Sequence, residues 1–268
     1  MYRTQWGLAK PPFPSGLDLK IFYEGMNQRE SLARLRFLTD HQRRCGLMLG
    51  QPGLGKSLLL EVFAQECRQQ CAAVALIDLL GLSSREFLWQ LGNQLAAAVH
   101  IEDESVRQFR QLTDRLKENQ LQGGRTILLL DNVDQAGPDL LTHLMRLARL
   151  ELTSGGGPTL VLTANATQSV RLSEELLELI DLRIDLEPWD ELDTIGYLQL
   201  ALVEAGSERP LFTDEALGEL HRLAAGVPRK INRLANYALM TGSHEPNELI
   251  DLATVQAANQ MLSWPDPR

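Results

Sequence analysis

The run "GQPGLGKS" at residues 50–57 carries a first glycine, four intervening residues and a Gly-Lys-Ser end, the spacing of a phosphate-binding loop. Gly50, Gly53 and Gly55 let the chain curl so that its amides converge on phosphate oxygens, and a helix opening behind them adds the partial positive charge of its N-terminus. In such a loop Lys56 neutralises the β and γ phosphates and Ser57 ligates Mg²⁺, while Gln51, Pro52, Leu54 and Leu58 complete the segment that wraps a nucleotide. The alternative, a chance glycine-rich turn, is weakened by an apolar strand before the run and a helical pattern after it. A second run, "LLLDNVDQ" at residues 128–135, ends a strand on Asp131, where a carboxylate at the C-terminal edge of a sheet holds Mg²⁺ through water. Asn132 follows it as a neutral amide, and Asp134 restores a carboxylate two positions on. Whether Asp134 reaches an attacking water depends on how sharply the chain turns after Asp131.

Two further places carry chemistry. Asn165 follows "TLVLTA" and either hydrogen-bonds a γ-phosphate or attacking water, or is an ordinary turn residue. "GVPRKINRL" at residues 226–234 sets Gly226 and Pro228 ahead of a helix bearing Arg229, Lys230 and Arg233. Arginine beside a triphosphate gives charge-assisted, bidentate hydrogen bonds; without a phosphate the cluster is a solvated helix start.

The elements that must position these residues alternate. Short apolar strands at 46–50, 73–79, 126–131, 159–164 and 182–186 are separated by helical stretches near 56–70, 84–98, 104–121, 138–153 and 172–180. This is the pattern of a parallel sheet with crossover helices, its strands apolar on both faces. Ser83 and Glu86 have capping-box spacing at the second of those helices. After "EPWDELD" the strands stop, and helices are predicted at 190–205, 213–225, 228–242 and 251–262, with Thr213 and Asp251 as N-caps. Ahead of the sheet, residues 1–27 are too rich in proline for regular helix, yet Trp6, Phe13, Phe22 and Tyr23 call for burial. A helix at 28–40 presents Leu32, Leu35 and Leu38 on one face. The expected organisation is a lead-in and helix at 1–45, an α/β nucleotide-binding core at 46–187, and an all-helical lid at 188–268.

Composition narrows the partners. With 26 Lys and Arg against 35 Asp and Glu, the net charge is −9, so the whole chain is not an electrostatic nucleic-acid binder, although a local basic face is still open. Cys45, Cys67 and Cys71 match no zinc spacing and read as reduced, buried thiols. No apolar run resembles a signal peptide or reaches 18 residues, from which a soluble, cytoplasmic protein without a membrane segment is expected.

Taken together, these residues resemble the AAA+ superfamily, and within it the ExeA-type (general secretion pathway protein A) ATPases, relatives of the TniB and MuB kind of transposition helper. The resemblance runs from "YRTQWGLAKPPFP" through "GQPGLGKS" as Walker A, "LLLDNVD" as Walker B, "LVLTAN" as sensor 1 and "LIDLRIDLEP", to "PLFTDEALGELHRLAAGVPRKINRLANYAL" as a lid with sensor 2. It implies a P-loop NTPase with a five-stranded parallel sheet and a C-terminal helical lid, ATP and Mg²⁺ as cofactors, Asn165 as sensor 1 and Arg229 as sensor 2. It also implies a homo-oligomer, ring or filament, with Arg183 either an arginine finger reaching a neighbour's ATP or a surface arginine. Membrane-bound ExeA-type proteins carry a transmembrane segment and a peptidoglycan-binding portion not seen in these 268 residues, so a secretion or cell-wall role is not carried over. The family places a glutamate after the Walker B aspartate to polarise the attacking water. An asparagine amide cannot accept a proton, so Asn132 is a departure at the chemical step.

Three functions compete: an AAA+ ATPase that hydrolyses slowly and changes assembly state, a nucleotide switch that scarcely hydrolyses, and a DNA-associated transposition helper, which the acidic balance disfavours. A small-molecule kinase, which shares the phosphate loop, is opposed by the all-helical region after residue 187.

Overall fold

The computed structural model describes residues 2–14, 16, 19–70, 72–152, 156–167, 172–242 and 249–262. In chain order these form α1 (Tyr2–Gln5), a 3-10 turn (Leu19–Ile21), α2 (Met26–Asp40), β1 (Cys45–Gly50), α3 (Lys56–Gln69), β2 (Ala73–Asp78), α4 (Ser84–Gln94), α5 (Ser105–Leu121) and β3 (Thr126–Asp131). A 3-10 turn (Val133–Gln135), α6 (Pro138–Ala148), β4 (Thr159–Asn165), α7 (Glu174–Leu177), β5 (Leu182–Asp185), α8 (Glu191–Glu204), α9 (Asp214–Ala224), α10 (Pro228–Thr241) and α11 (Leu252–Leu262) follow. The chain divides into two compact units: residues 28–52 with 56–186, and residues 1–27 with 53–55 and 187–268.

The first unit is a five-stranded sheet in the order β2-β3-β4-β1-β5 with every pair parallel. Strands β1 and β3 are buried at every position, as apolar runs covered on both faces must be. Helix α3 turns Leu59, Leu60, Phe63 and Cys67 inward and packs against β2 and β3. The register sets the site: Asp78 lies opposite Asp131 at the ends of β2 and β3, and Gly50 lies opposite Asn165 at the ends of β1 and β4. Four residues capable of polar chemistry or close backbone approach therefore gather at the carboxyl edge of the sheet, where open α/β folds bind ligands.

The Ser83–Glu86 capping box forms in both directions, with Ser83 N–H donating to Glu86 Oε2 at 2.9 Å and Glu86 N–H to Ser83 Oγ at 3.3 Å. Helix α4 stops at Gln94, short of the expected 98, because Ala96 takes a left-handed conformation (φ 54°) and Ala97 N–H turns back to the Gly92 carbonyl. Helix α6 likewise ends at Ala148 instead of 153, where Leu150 N–H closes a tight turn on the Leu147 carbonyl. Helix α7 is only Glu174–Leu177 because Ser173 caps it and tight turns through Leu179 and Ile180 end it. Cys45 and Cys67 are buried, and burial pushes their thiols up to about 12 and about 11; Cys71 lies outside the described residues.

In the second unit α8 to α11 enclose an apolar core to which the N-terminal segment contributes Trp6, Leu8, Phe13 and Ile21. Prolines keep that segment from forming more than the four-residue α1, so it is held by side chains instead. Trp6 Nε1–H donates to the Leu239 carbonyl at 2.9 Å, and Asn236 Nδ2 donates to the Phe13 carbonyl. Burying Phe13, which is 1% exposed, contributes about 2 kcal/mol relative to leaving it in water. Asp190, Thr213 and Asp251 cap the helices that follow them, accepting from the backbone N–H of Asp193, Ala216 and Thr254. Gly226 has φ +68°, and a Cβ there would lie 2.1 Å from the Trp189 carbonyl oxygen, which requires glycine on both counts. Among the described residues, no helix is long and apolar enough to cross a membrane.

Candidate functional site

Strand β1 ends at Gly50 and α3 opens at Lys56, so the glycine run is the strand-to-helix turn. Gly53 and Gly55 take φ +91° and +95°, which aims successive backbone amides to one side as an anion-binding concavity. Leu54, within the turn, is buried at 2% exposed. Lys56 is buried, and its ammonium folds back over the turn to donate to the carbonyls of Gly50 at 2.8 Å and Gln51 at 3.2 Å. Gln51 and Pro52 are exposed, while Leu58 is half-buried in the first turn of α3.

Gly53 also meets the start of α10. Pro228 fills the first position of that helix without an N–H, and the next backbone donor, that of Arg229, goes to the Gly53 carbonyl at 3.2 Å. A Cβ at residue 53 would lie 2.9 Å from Arg229 Cβ and 3.2 Å from Val227 Cγ1. The Arg229 side chain itself is exposed.

Asp131 is 6% exposed and fully engaged. Ser57 Oγ donates to its Oδ2 at 2.5 Å, Thr163 Oγ1 donates to its Oδ1, and Asn132 N–H reaches Oδ1 at 3.1 Å. A hydroxyl and a carboxylate oxygen brought together at the head of the phosphate turn form a hard-oxygen pair, the donor chemistry that suits Mg²⁺.

Past Asp131 the chain turns sharply. Asn132 takes φ 58°, ψ 44°, a left-handed conformation that asparagine tolerates better than most residues. Its side-chain Nδ2 donates to Asp78 Oδ1 at 2.8 Å. The 3-10 turn then carries Asp134 under the end of β4, where Oδ1 accepts from Asn165 N–H at 3.2 Å and Oδ2 from Gln135 Nε2 at 2.8 Å. Asp134 is 7% exposed. The Asn165 side-chain oxygen accepts from Thr167 N–H at 3.2 Å and Thr167 Oγ1 at 3.0 Å. Asp134 and Asn165 are thus brought together, while Asn132 looks the other way, toward β2.

Arg183 lies on the edge strand β5, opposite Leu47 of β1. Its guanidinium makes a fork on Asp185 through Nε at 3.0 Å and Nη2 at 2.8 Å, and those hydrogen bonds hold its pKa above the ordinary arginine value. The side chain remains 65% exposed.

Two residues of this constellation escaped sequence reasoning. Thr163 is fully buried in β4 and bonds both Asp131 Oδ1 and Asn132 N–H. Its signal was a hydroxyl inside an otherwise apolar strand. Asp78 ends β2 as Asp131 ends β3, and that repeat of a strand closing on aspartate was the signal available for it.

Residues 39–170 match the AAA domain family. The general secretion pathway protein A of Aeromonas hydrophila is 28% identical over 253 residues, covering 91% of this chain and 46% of that protein, so the chain spans about half the length of this relative. Among solved structures, Cdc6p from Pyrobaculum aerophilum superposes with a TM-score of 0.73 at 15% identity, covering 98% of this chain and 71% of that one. The Holliday junction branch migration motor RuvB of Thermotoga maritima gives 0.61 at 16%, covering 96% and 75%. At these identities the structural likenesses speak for the fold: a P-loop α/β sheet followed by helices. The phosphate turn, the strand order and the match to the secretion protein converge: the chain carries an AAA-like domain over residues 39–170 and resembles the ExeA type of AAA+ protein.

Proposed function

We propose that this chain binds Mg²⁺·ATP, hydrolyses it slowly, and uses the cycle as a nucleotide-dependent assembly or remodelling factor. One observation carries the reading: a glycine turn with two positive-φ residues opens α3 directly onto Lys56 and a Ser57–Asp131 oxygen pair. Gly50 to Leu58 wrap the phosphates, with Lys56 on the β and γ groups. Ser57 and Asp131 would hold Mg²⁺, which when bound neutralises charge on the β and γ phosphates. Arg229, tied to Gly53 through its main chain, is assigned to the γ-phosphate, and Asn165 to the attacking water. In hydrolysis the water oxygen bonds to the γ-phosphorus, and the β,γ-bridging bond breaks with its electron pair leaving on ADP. The water's protons end on inorganic phosphate and solvent. Asp134, with both oxygens already accepting, is assigned to holding Asn165 in place.

Asn132 is the reason for a slow chemical step, and it supports a second reading in which nucleotide exchange alone works the switch. We assign residues 1–45 to a lead-in, 46–187 to the nucleotide-binding core and 188–268 to a lid, in a cytoplasmic homo-oligomer, ring or filament, with Arg183 acting on a neighbour's ATP. DNA is the less favoured partner: RuvB is a Holliday junction motor, but the net charge here is −9. The test is size-exclusion with light scattering on ATP-, ADP- and nucleotide-free protein, run beside phosphate release. A mass that rises with ATP together with slow, Mg²⁺-dependent release supports the proposal. An ATP-dependent mass without release favours the switch, and neither change opposes both.

A further inference from the structure

Helix α8 is apolar on two faces. Leu198, Ala201 and Leu202 are buried, while Leu192 and Val203, 79% and 66% exposed, stand outward on one stripe three turns apart, with Leu200 beside them. A surface helix keeps its outer face polar, and one that is apolar all round is covered by something. Val203 also lines a groove of about 370 Å³ between the end of α8 and the start of α9. The buried side chains of Leu202, Leu211, Phe212 and Leu217 line it beside the exposed Val203 and Pro210. Its backbone is fixed at both ends. Gly206 takes φ +95° and closes α8, its N–H on the Val203 carbonyl at 2.9 Å and the Ser207 N–H on the Leu202 carbonyl at 3.0 Å. Ile250 N–H donates to the Leu211 carbonyl at 2.8 Å, and Thr213 N–H to the Ile250 carbonyl at 3.0 Å. A groove held this way is formed before a partner arrives, which lowers the cost of binding one.

The charges around it say what fits. Glu208 and Asp214 are exposed in the lining and Glu215 is exposed next to Asp214, whereas Arg209 is the one cation of the lining among the described residues. An apolar groove between helices takes the apolar stripe of another helix, and an acidic rim takes the cations that flank such a stripe. We infer that the groove between α8 and α9 docks an amphipathic helix of another protein, its apolar stripe on Leu202, Val203 and Phe212 and its lysines or arginines over Glu208 and Asp214. A second copy of this chain is the poorer match, because it brings a net charge of −9 to a rim that is itself acidic. The inference uses no residue of the nucleotide site and stands apart from the hydrolysis reading.

The test is fluorescence anisotropy on the full chain with two labelled amphipathic peptides of about five helical turns, one of leucine and lysine and one of leucine and glutamate, beside light scattering on the protein alone. The leucine-lysine peptide is expected to saturate at one per chain, at least about tenfold tighter than the leucine-glutamate peptide, and to weaken as salt rises. Val203→Gln, at an exposed position where the fold tolerates it, removes an apolar contact without changing charge and should weaken that binding at least about fivefold. Val106→Gln, at an exposed apolar position on α5, should leave it unchanged. Glu208→Lys combined with Asp214→Lys should reverse the order of the two peptides, with an unaltered melting temperature showing that the variant is folded. No saturable binding, or leucine-lysine binding unchanged by Val203→Gln or by the charge reversal, overturns the inference. A mass that rises with concentration in the parent and stays at one chain in Val203→Gln gives the groove to a second copy and overturns it as well.

Discussion

The two sides of the nucleotide site are built by different rules. On the phosphate side, the turn at 50–55, Lys56, Ser57 and Asp131 follow one another in the order their chemistry needs, and each main contact is either local or between α3 and the strand it packs on. On the side assigned to the attacking water, Asn132, Asp134 and Asn165 depend on bonds across the sheet, to Asp78 on β2 and between β3 and β4. The first arrangement is a binding device whose parts are prescribed by phosphate geometry. In the proposed cycle the second sets the rate, with an amide where a carboxylate would polarise the water. Affinity for nucleotide and the rate of its hydrolysis should therefore be separable by mutation.

Lys56→Ala attacks the phosphate side and has the largest expected effect: ATP turnover falls by at least about a hundredfold, with nucleotide affinity lost in parallel. Isothermal titration beside phosphate release checks it, and preserved affinity would break the division between the two sides. Gly53→Ala comes next. The left-handed φ and the 2.9 Å approach of Arg229 Cβ leave no room for a methyl group, so ATP affinity should drop about tenfold or more while the melting temperature of the sheet unit changes little.

Asp134 probes the water side. Asp134→Ala leaves the part-buried Asn165 N–H without its carboxylate partner and should cost about 1–3 kcal/mol in a urea melt. Asp134→Asn keeps an acceptor there and should retain stability and ATP affinity, with turnover reduced by less than about tenfold. Turnover abolished in Asp134→Asn, with affinity intact, would identify Asp134 as the proton acceptor and not an anchor. The smallest effect is expected at Arg183. Its fork on Asp185 is exposed, so Arg183→Ala should change stability by less than about 1 kcal/mol. Any loss of turnover should appear only at protein concentrations where the chain assembles; a loss that is independent of concentration would remove it from a role in trans.

The strand-to-helix glycine turn and the aspartate ending β3 were legible in the sequence because glycine spacing and an apolar strand ending on aspartate are local signals. The sheet's five strands were legible for the same reason, each a short apolar run bounded by turn residues. What could not be read was which strand ends become neighbours. The strand order β2-β3-β4-β1-β5 places Asp78 beside Asp131 although more than fifty residues separate them, and no periodicity reports that. The direction of the turn after Asp131 was open for the same reason: it depends on the left-handed backbone of Asn132 and on the Asn165 N–H that receives Asp134. Helix ends at Gln94 and Ala148 were overrun because apolar residues continue past them, through Leu95 and Leu152, into tight turns that remain buried. The N-terminal aromatics were expected to be buried, but their site against α10 required tertiary structure to find.

The most direct test of the proposal that the site binds ATP normally and hydrolyses it slowly is single-turnover hydrolysis with protein in excess over radiolabelled Mg²⁺·ATP. ATP is expected to bind fully and convert to ADP in a slow single phase that disappears on chelating Mg²⁺ and in Lys56→Ala. Failure of the parent protein to retain ATP, or a conversion unaffected by either change, would contradict the account.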